Sequence, residues 1–241
     1  MYRVLFLCCL LLAGSPADEI PGVKQMVGRF EARYRSARTL QATFLERYFE
    51  NGRIVRTEAG TAYFRRPGRM RWEYESPEKD LFLVDGKTAW FYVPADHTVT
   101  RVPAKQSTDL RTPLALLAGE MRVSRVCARV EAVAGEKPER TDDVVLRCVL
   151  HQPKSQHESQ GATRQDLEDD AHQDTVLFEI SRDTGELARL LIQQSGGVQI
   201  EFKFENWRID PPLPDPLFRF APPLGVAIVN GELAAGDTSM K

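Results

Sequence analysis

The side chains suited to metal binding or catalysis are concentrated in one polar stretch of the chain. It contains or adjoins three of the four histidines and a run of acids: His151, His157, His172, Asp166, Glu168, Asp169 and Asp170. Imidazole and carboxylate groups are common protein ligands of zinc and other divalent metals. Here they are scattered over a segment without periodicity, which is a poor frame for a tight site. We therefore expect no metal and no cofactor.

A pair of acids on one strand, Glu73 and Glu75, is the second group with catalytic potential. Paired carboxylates can work as general acid and base. These two, however, follow Arg69 and Arg71 on the same strand face, where opposite charges typically form ion pairs. The sequence also lacks GxSxG and HExxH motifs and a phosphate-binding glycine loop. No residue is predicted to be catalytic, and we expect the protein not to be an enzyme.

The arginines belong to the segment Gly60–Tyr74, GTAYFRRPGRMRWEY, which interleaves four arginines with large apolar residues. Such a pattern occurs in nucleic-acid-binding proteins and also in a β-hairpin with one polar and one apolar face. Met70, Trp72 and Tyr74 alternate with the arginines, so they share the opposite face. The formal net charge is −2, whereas nucleic-acid-binding domains are usually basic. We predict an apolar strand face and no nucleic acid.

The N-terminus has the three parts of an export signal. Arg3 is followed by the apolar run Val4–Gly14 and then by small residues at Ser15–Ala17. The apolar run is shorter than the roughly 20 residues that cross a bilayer. We predict a signal peptide over residues 1–17, export, and a single mature domain over residues 18–241.

Two cysteines remain in the predicted mature chain, Cys127 and Cys148. Each lies in a strand-like run, and the residues between the two runs are rich in turn formers. Exported proteins commonly contain disulfides, so we predict a bridge between neighbouring strands. Two buried free thiols are the alternative.

The apolar pattern of the whole chain indicates a mainly β protein with helices. Helical spacing covers Ile20–Arg38, and strand alternation follows, with tight turns at NG and DG sequences. A short apolar helix is predicted at Thr108–Met121. The polar segment Pro153–Asp174 is predicted to be a mobile loop insertion. We count about eleven strands, with an edge strand in the proline-rich tail.

Large apolar and aromatic side chains are more numerous along these strands than one face of a simple sheet requires. The alternation predicts that several of them point the same way and line a concavity, and the residues are Phe44, Phe64, Met70, Trp72, Tyr74, Leu83, Trp90 and Tyr92. The short apolar helix could cover this cavity through Leu114, Leu116 and Leu117. Both a lidded cavity and a filled core fit the alternation.

Four segments, in their order and spacing, resemble the outer-membrane lipoprotein carrier family, the periplasmic LolA-type proteins. They read GTAYFRRPGRMRWEYESP, LFLVDGKTAWFYVP, TPLALLAG and ISRDTGEL…GGVQIEFKFENW…LFRFAPPLGVAIV. The resemblance implies an incomplete, strongly curved antiparallel β-barrel with an α-helical lid. It further implies that the concavity lined by the eight residues named above is a lipid-binding cavity, that Arg66 acts as a latch for the lid, and that Met70 faces the cavity. The insertion at 153–174 and the tail beyond Val229 depart from the family pattern.

The resemblance also implies a function. A periplasmic carrier of this kind takes acylated lipoproteins from an ABC-type release complex of the inner membrane and passes them to an outer-membrane lipoprotein acceptor. We expect it to act as a monomer. Two alternatives use the same fold: a carrier of another lipid, such as a phospholipid or an isoprenoid, and an outer-membrane acceptor.

Overall fold

The computed structural model describes residues 22–106, 114–119, 121–133, 136–151, 175–194 and 196–231. The predicted signal peptide and the predicted loop insertion, which contains most of the scattered acids and histidines, lie outside these residues.

The described residues form twelve strands, two α-helices and three short 3₁₀ helices. The α-helices are α1 Val23–Arg35 and α2 Ala115–Ala118. The strands are β1 Thr39–Glu50, β2 Arg53–Arg65, β3 Arg69–Ser76, β4 Leu81–Val84, β5 Thr88–Val93, β6 Thr98–Pro103, β7 Cys127–Ala132, β8 Asp143–Leu150, β9 Thr175–Ser181, β10 Leu187–Gln193, β11 Val198–Ile209 and β12 Ala227–Asn230. The 3₁₀ helices are Ala104–Gln106, Val123–Arg125 and Asp215–Phe218.

All twelve strands belong to one open sheet in the order β12-β6-β5-β4-β3-β2-β1-β11-β10-β9-β8-β7. The sheet ends at β12 on one side and β7 on the other, which confirms the prediction of an unclosed, mainly β architecture with helices. Antiparallel β1 and β11 join its two halves, with Phe44 opposite Phe204. The predicted edge strand of the tail is present as β12, but it pairs with β6 in parallel. The sheet is therefore antiparallel except at this edge.

The tail reaches that edge by crossing one face of the sheet, and arginines on the polar face of the β2–β3 hairpin hold it there. Arg65 donates to the carbonyl oxygen of Leu213 (3.1 Å) and forms an ion pair with Asp215 (2.6 Å). Arg71 donates to the carbonyl oxygen of Leu217 (3.2 Å). We call this face the outer face. The arginine-rich side of the hairpin thus binds the protein's own C-terminal segment.

The opposite side, here called the inner face, is covered by helices. Helix α1 buries Met26, Phe30 and Tyr34, at the spacing that the sequence predicted. Helix α2 is shorter than the predicted helix over 108–121, most of whose first half lies outside the described residues. Strand β7 begins at Cys127, after residues 123–125, which form a 3₁₀ turn with Val123 buried. Within the described ranges, no helix is long and apolar enough to span a membrane.

Candidate functional site: a covered apolar sheet face

Five of the predicted cavity residues lie together on the inner face. Strand pairing places Phe64 opposite Met70 and Ala62 opposite Trp72. Phe44 lies across the inner face from Trp72 and Tyr74, with ring centroids 4.8 and 5.1 Å apart. All five are buried, with exposed fractions between 0% and 6%: Phe44, Phe64, Met70, Trp72 and Tyr74.

The other three predicted cavity residues, Leu83, Trp90 and Tyr92, lie on the outer face, so their assignment to the cavity is wrong. Trp72 faces Phe82 across β3 and β4, which turns Leu83 to the opposite side. Trp90 is the cross-strand partner of Leu83. These side chains pack beneath the tail, where the rings of Trp90 and Tyr92 lie 5.6 and 5.7 Å from that of Phe220.

The second half of the sheet supplies inner-face residues that the sequence analysis did not assign to the site. Phe202 and Phe204 of β11 lie 5.3 and 6.1 Å from Trp72 between ring centroids. The alternation of apolar and polar residues in VQIEFKFENW did indicate that these two phenylalanines share one face of a strand. Nothing in the local pattern, however, places β11 beside β1, since the two strands are about 150 residues apart in the chain.

The inner face is filled by the segments that cover it. We call α1 together with residues 114–119 and 121–126 the cover. Its large buried apolar side chains are Met26, Phe30, Tyr34, Leu114, Leu116, Leu117, Met121 and Val123. Of the two arrangements left open by the sequence, the described residues have the filled one, because the cover and the inner face belong to one cluster of buried apolar side chains.

Polar contacts at its edges hold the cover in place. The Tyr34 hydroxyl accepts a hydrogen bond from the Leu187 backbone N–H (3.0 Å), and burial raises the pKa of this tyrosine well above its ordinary value. Glu31 of α1 accepts from the Val123 backbone N–H (2.8 Å), which links the two parts of the cover. The Gly68 N–H of the β2–β3 turn donates to the Ala118 carbonyl oxygen (2.8 Å).

Arg66, for which the family resemblance implies the role of lid latch, lies at the end of α1. Its Nη1 donates to the carbonyl oxygen of Arg35 (2.5 Å), and its backbone N–H donates to the carbonyl oxygen of Arg38 (3.0 Å). Nε and Nη2 are buried and have no hydrogen-bond partner among the described residues. Burial lowers the pKa of this guanidinium, and Asp210 acts in the opposite direction. A cation thus meets the carbonyl end of the helix, where the helix dipole favours positive charge.

A buried carboxylate on the inner face was missed by the sequence analysis. Glu46 follows Phe44 in the inward alternation of β1 and is 3% exposed. The Tyr74 hydroxyl donates a hydrogen bond to its Oε2 (2.6 Å). The sequence did contain a signal for it, because a glutamate stands at an inward-facing position of β1. A charged side chain is seldom buried without a polar partner, so a partner on the same face could have been expected.

Removing this hydrogen bond should destabilise the protein. Hydrogen bonds to charged groups contribute about 1.5–3 kcal/mol, so Tyr74→Phe should lower the free energy of unfolding by that amount in urea denaturation. Tyr92→Phe is the matched control, since Tyr92 lies on the outer face and keeps its ring contact with Phe220. Equal denaturation midpoints for the two variants would show that the Tyr74–Glu46 bond contributes no net stability.

Cys127 and Cys148 form a disulfide between β7 and β8, with Cα atoms 5.4 Å apart. The bridge joins the last two strands at the β7 edge of the sheet. Both cysteines are buried.

Asp143, at the start of β8, should make stability depend on pH. It is 2% exposed, its nearest cation is Arg140 at 3.9 Å, and burial raises the pKa of its carboxyl. An acid whose pKa is raised by folding destabilises the fold when ionised, and this cost vanishes as pH falls below the unfolded value of about 3.9. Asp143→Asn should therefore be more stable than the parent at pH 7, with a smaller advantage near pH 4. Urea denaturation at both pH values measures this, and the exposed Asp142→Asn is the control. An advantage that does not change with pH would contradict the prediction.

The described residues contain no group of three or more metal-ligating side chains. The sheet topology and the apolar cluster define a class of protein by architecture: an open β-sheet whose apolar inner face is covered by helical segments.

Comparison with known proteins identifies the family within that class. Residues 35–147 match the family model of the outer membrane lipoprotein carrier protein LolA. The chain is 30% identical over 232 residues to the outer-membrane lipoprotein carrier protein of Methylococcus capsulatus, covering 94% of this chain and 97% of the relative. It is also 30% identical over 213 residues to that of Chromobacterium violaceum, covering 88% and 91%. The chain belongs to the outer-membrane lipoprotein carrier protein family.

Among solved structures, an uncharacterized conserved protein from Thermus thermophilus has the same fold. Its TM-score is 0.50 at 14% sequence identity, and the match covers 86% of this chain and 98% of that one. At this identity the likeness concerns the fold alone.

Proposed function

We propose that this protein is a periplasmic carrier that binds the acyl chains of lipoproteins released from the inner membrane and delivers them to the outer membrane. The observation that carries the proposal is an aromatic inner face covered by segments that are not part of the sheet. Membership of the lipoprotein carrier family supports the choice of cargo. In this proposal the acyl chains lie between the inner face and the cover, and the cover acts as a lid.

The energetics explain why a carrier would fill its own binding site. Burying one methylene group is worth about 0.8 kcal/mol, so a single long acyl chain offers on the order of 10 kcal/mol. Several chains in an empty, preformed cavity would bind almost irreversibly. If Phe30, Leu114 and Leu117 must first leave the inner face, the apparent affinity is reduced by the fraction of protein that is open. Release without an energy source then becomes feasible.

The proposal assigns roles to further components. An ABC-type release complex in the inner membrane supplies the cargo, and an outer-membrane acceptor removes it. Arg66 holds α1 through the Arg35 carbonyl in the closed state, so it sets the free-energy difference between the closed and the open cover. The disulfide, the buried charge of Glu46 and the tail on the outer face belong to the frame that keeps the sheet in shape.

The test is release of lipoproteins from membranes. Purified protein spanning residues 18–241 is incubated with inner membranes that contain the native release machinery, and lipoproteins are sought in the soluble fraction in a one-to-one complex. A photoreactive amino acid at Met70, on the inner face, should crosslink to the acyl chains. The same group at Tyr92, on the outer face, is the matched control and should not.

Three outcomes would replace the proposal. If no lipoprotein is released but a phospholipid or an isoprenoid copurifies, the protein carries another lipid. If the mass of the mature protein includes covalently attached acyl chains, it is an outer-membrane acceptor. Crosslinking from Tyr92 and not from Met70 would place the cargo on the wrong face of the sheet.

A further inference from the structure

The three tryptophans of the chain differ in the hydrogen bonding of their indole N–H groups. Trp207 Nε1 donates to the Leu187 carbonyl oxygen (2.8 Å) and Trp90 Nε1 donates to Asp85 Oδ2 (3.2 Å). Trp72 is fully buried, and its Nε1 has no hydrogen-bond acceptor among the described residues. Buried donors are normally paired, so this N–H calls for an explanation.

Packing does not provide one. The indole of Trp72 is surrounded by phenylalanine rings, with centroids at 4.8 Å for Phe44, 5.7 Å for Phe64, 5.3 Å for Phe202 and 6.1 Å for Phe204. An aromatic ring is at most a weak acceptor compared with a carbonyl oxygen. A purely apolar side chain at this position would fill the space without leaving a donor unpaired. The N–H therefore costs the empty protein stability that a bound acceptor would restore.

The position of this donor indicates what the acceptor would be. Trp72 lies at the centre of the inner face, opposite Ala62 on one side and Phe82 on the other. A ligand that reaches it must be apolar enough to displace the cover and must present a hydrogen-bond acceptor. An acyl ester meets both requirements, because its carbonyl oxygen accepts and the rest of the group donates nothing.

We propose that the Trp72 indole N–H donates a hydrogen bond to an ester carbonyl oxygen of a long-chain acyl group bound on the inner face. This inference rests on the proposed function and deepens it, because it names the atom of the cargo that is recognised. One directional bond among otherwise apolar contacts fixes how far the acyl chain enters. It also makes the site discriminate acyl esters from alkyl chains of equal length that lack the carbonyl group.

A pair of lipids that differ only in the carbonyl groups tests this discrimination. The full mature chain, labelled with ¹⁵N-tryptophan, is titrated with dioctanoylglycerol and with the corresponding dioctyl ether of glycerol. The ¹H–¹⁵N spectrum resolves one indole signal for each tryptophan. We expect the ester to move the Trp72 indole proton downfield and the ether not to. The Trp90 and Trp207 signals, whose donors are already bonded, are the internal controls.

Affinity provides the second measurement. We expect the ester to bind roughly tenfold more tightly than the ether, the ratio that one net hydrogen bond produces. Trp72→Phe should remove this preference, so that the ester and the ether bind the variant with the same affinity. If that variant does not fold, the titration of the unmodified protein still decides the question.

The outcomes separate this inference from the function on which it rests. Equal binding of ester and ether without a shift of the Trp72 signal would overturn the hydrogen bond and leave the apolar site intact. Binding of neither lipid would overturn the proposed site and the inference together. A downfield shift with the ester alone supports both.

Discussion

Replacing Arg66 by leucine is expected to tighten the binding of acylated cargo by roughly 10- to 100-fold and to slow its transfer to an acceptor. The substitution removes the charged hydrogen bond from Nη1 to the Arg35 carbonyl oxygen at the end of α1. Such bonds contribute about 1.5–3 kcal/mol, and each 1.4 kcal/mol corresponds to a factor of about ten. Burial lowers the pKa of Arg66, which marks a desolvation cost of the cation. Part of the bond's contribution is therefore already offset, and we expect the lower end of the range.

Tighter binding is expected because the cover and the cargo compete for the inner face. In the closed state the cover fills the inner face, so any loss of its stability raises the fraction of protein that is open. The apparent dissociation constant falls in proportion. Loading is then favoured, and handover, which needs the cover to return, is slowed.

Arg65→Leu is the matched control for this variant. The neighbouring arginine points to the outer face, where it contacts Leu213 and Asp215, so its loss should leave transfer unchanged. The measurement is the rate at which lipoprotein leaves the purified complex for acceptor-containing membranes. Normal transfer by Arg66→Leu, or equal slowing by both variants, would show that Arg66 does not control the cover.

Gly60→Ala is expected to lower the free energy of unfolding by about 3 kcal/mol, at the upper end for overpacked interiors. Gly60 lies on the inner face between Phe44 and Tyr74 of the flanking strands. A Cβ atom there would lie 1.9 Å from the Glu73 carbonyl oxygen. The obstacle is backbone, so it cannot rotate away, and β2 and β3 must separate to make room.

The same substitution at Gly28 should have the opposite sign. Gly28 is exposed within α1, and a Cβ built on it meets nothing within 4 Å. Alanine is favoured over glycine inside a helix by about 0.5–1 kcal/mol, so Gly28→Ala should stabilise the protein. Urea denaturation of both variants measures the difference. Similar stabilities for Gly60→Ala and Gly28→Ala would mean that the close approach of β2 to β3 does not require a glycine at position 60.

Strands with one apolar and one polar face were predictable from the sequence. In β1, β2 and β3, side chains alternate in type with the period of the pleat, so the pattern alone assigns Phe44, Phe64, Met70, Trp72 and Tyr74 to a common face. The turn at Asn51-Gly52 was equally clear. Both residues have positive φ, 48° and 76°, the conformation that this pair favours in two-residue hairpins.

Strand β4 shows where that reasoning stops. All four residues of Leu81–Val84 are buried, because the helices cover the inner face and the tail covers the outer one. In a strand that is apolar on both faces, residue types do not alternate, so the sequence does not show which side chains point to which face. Leu83, Trp90 and Tyr92 were therefore assigned to the wrong face. The cause of the error is a distant segment, since Phe220, which packs against Trp90 and Tyr92, lies far from them in the chain.

By itself, the sequence determined the properties that depend on neighbouring residues: the helix and strand types, the hairpins, the apolar side of β1 to β3, and the order of motifs that marks the carrier family. The tertiary structure alone decided what depends on distant segments meeting. It placed β11 beside β1, brought β12 parallel to β6, and filled the inner face with the cover. Among the described residues, it also left the Trp72 donor unpaired between phenylalanines from both halves of the sheet. The physical reason is that periodicity shows which residues avoid water, whereas only packing shows what covers them.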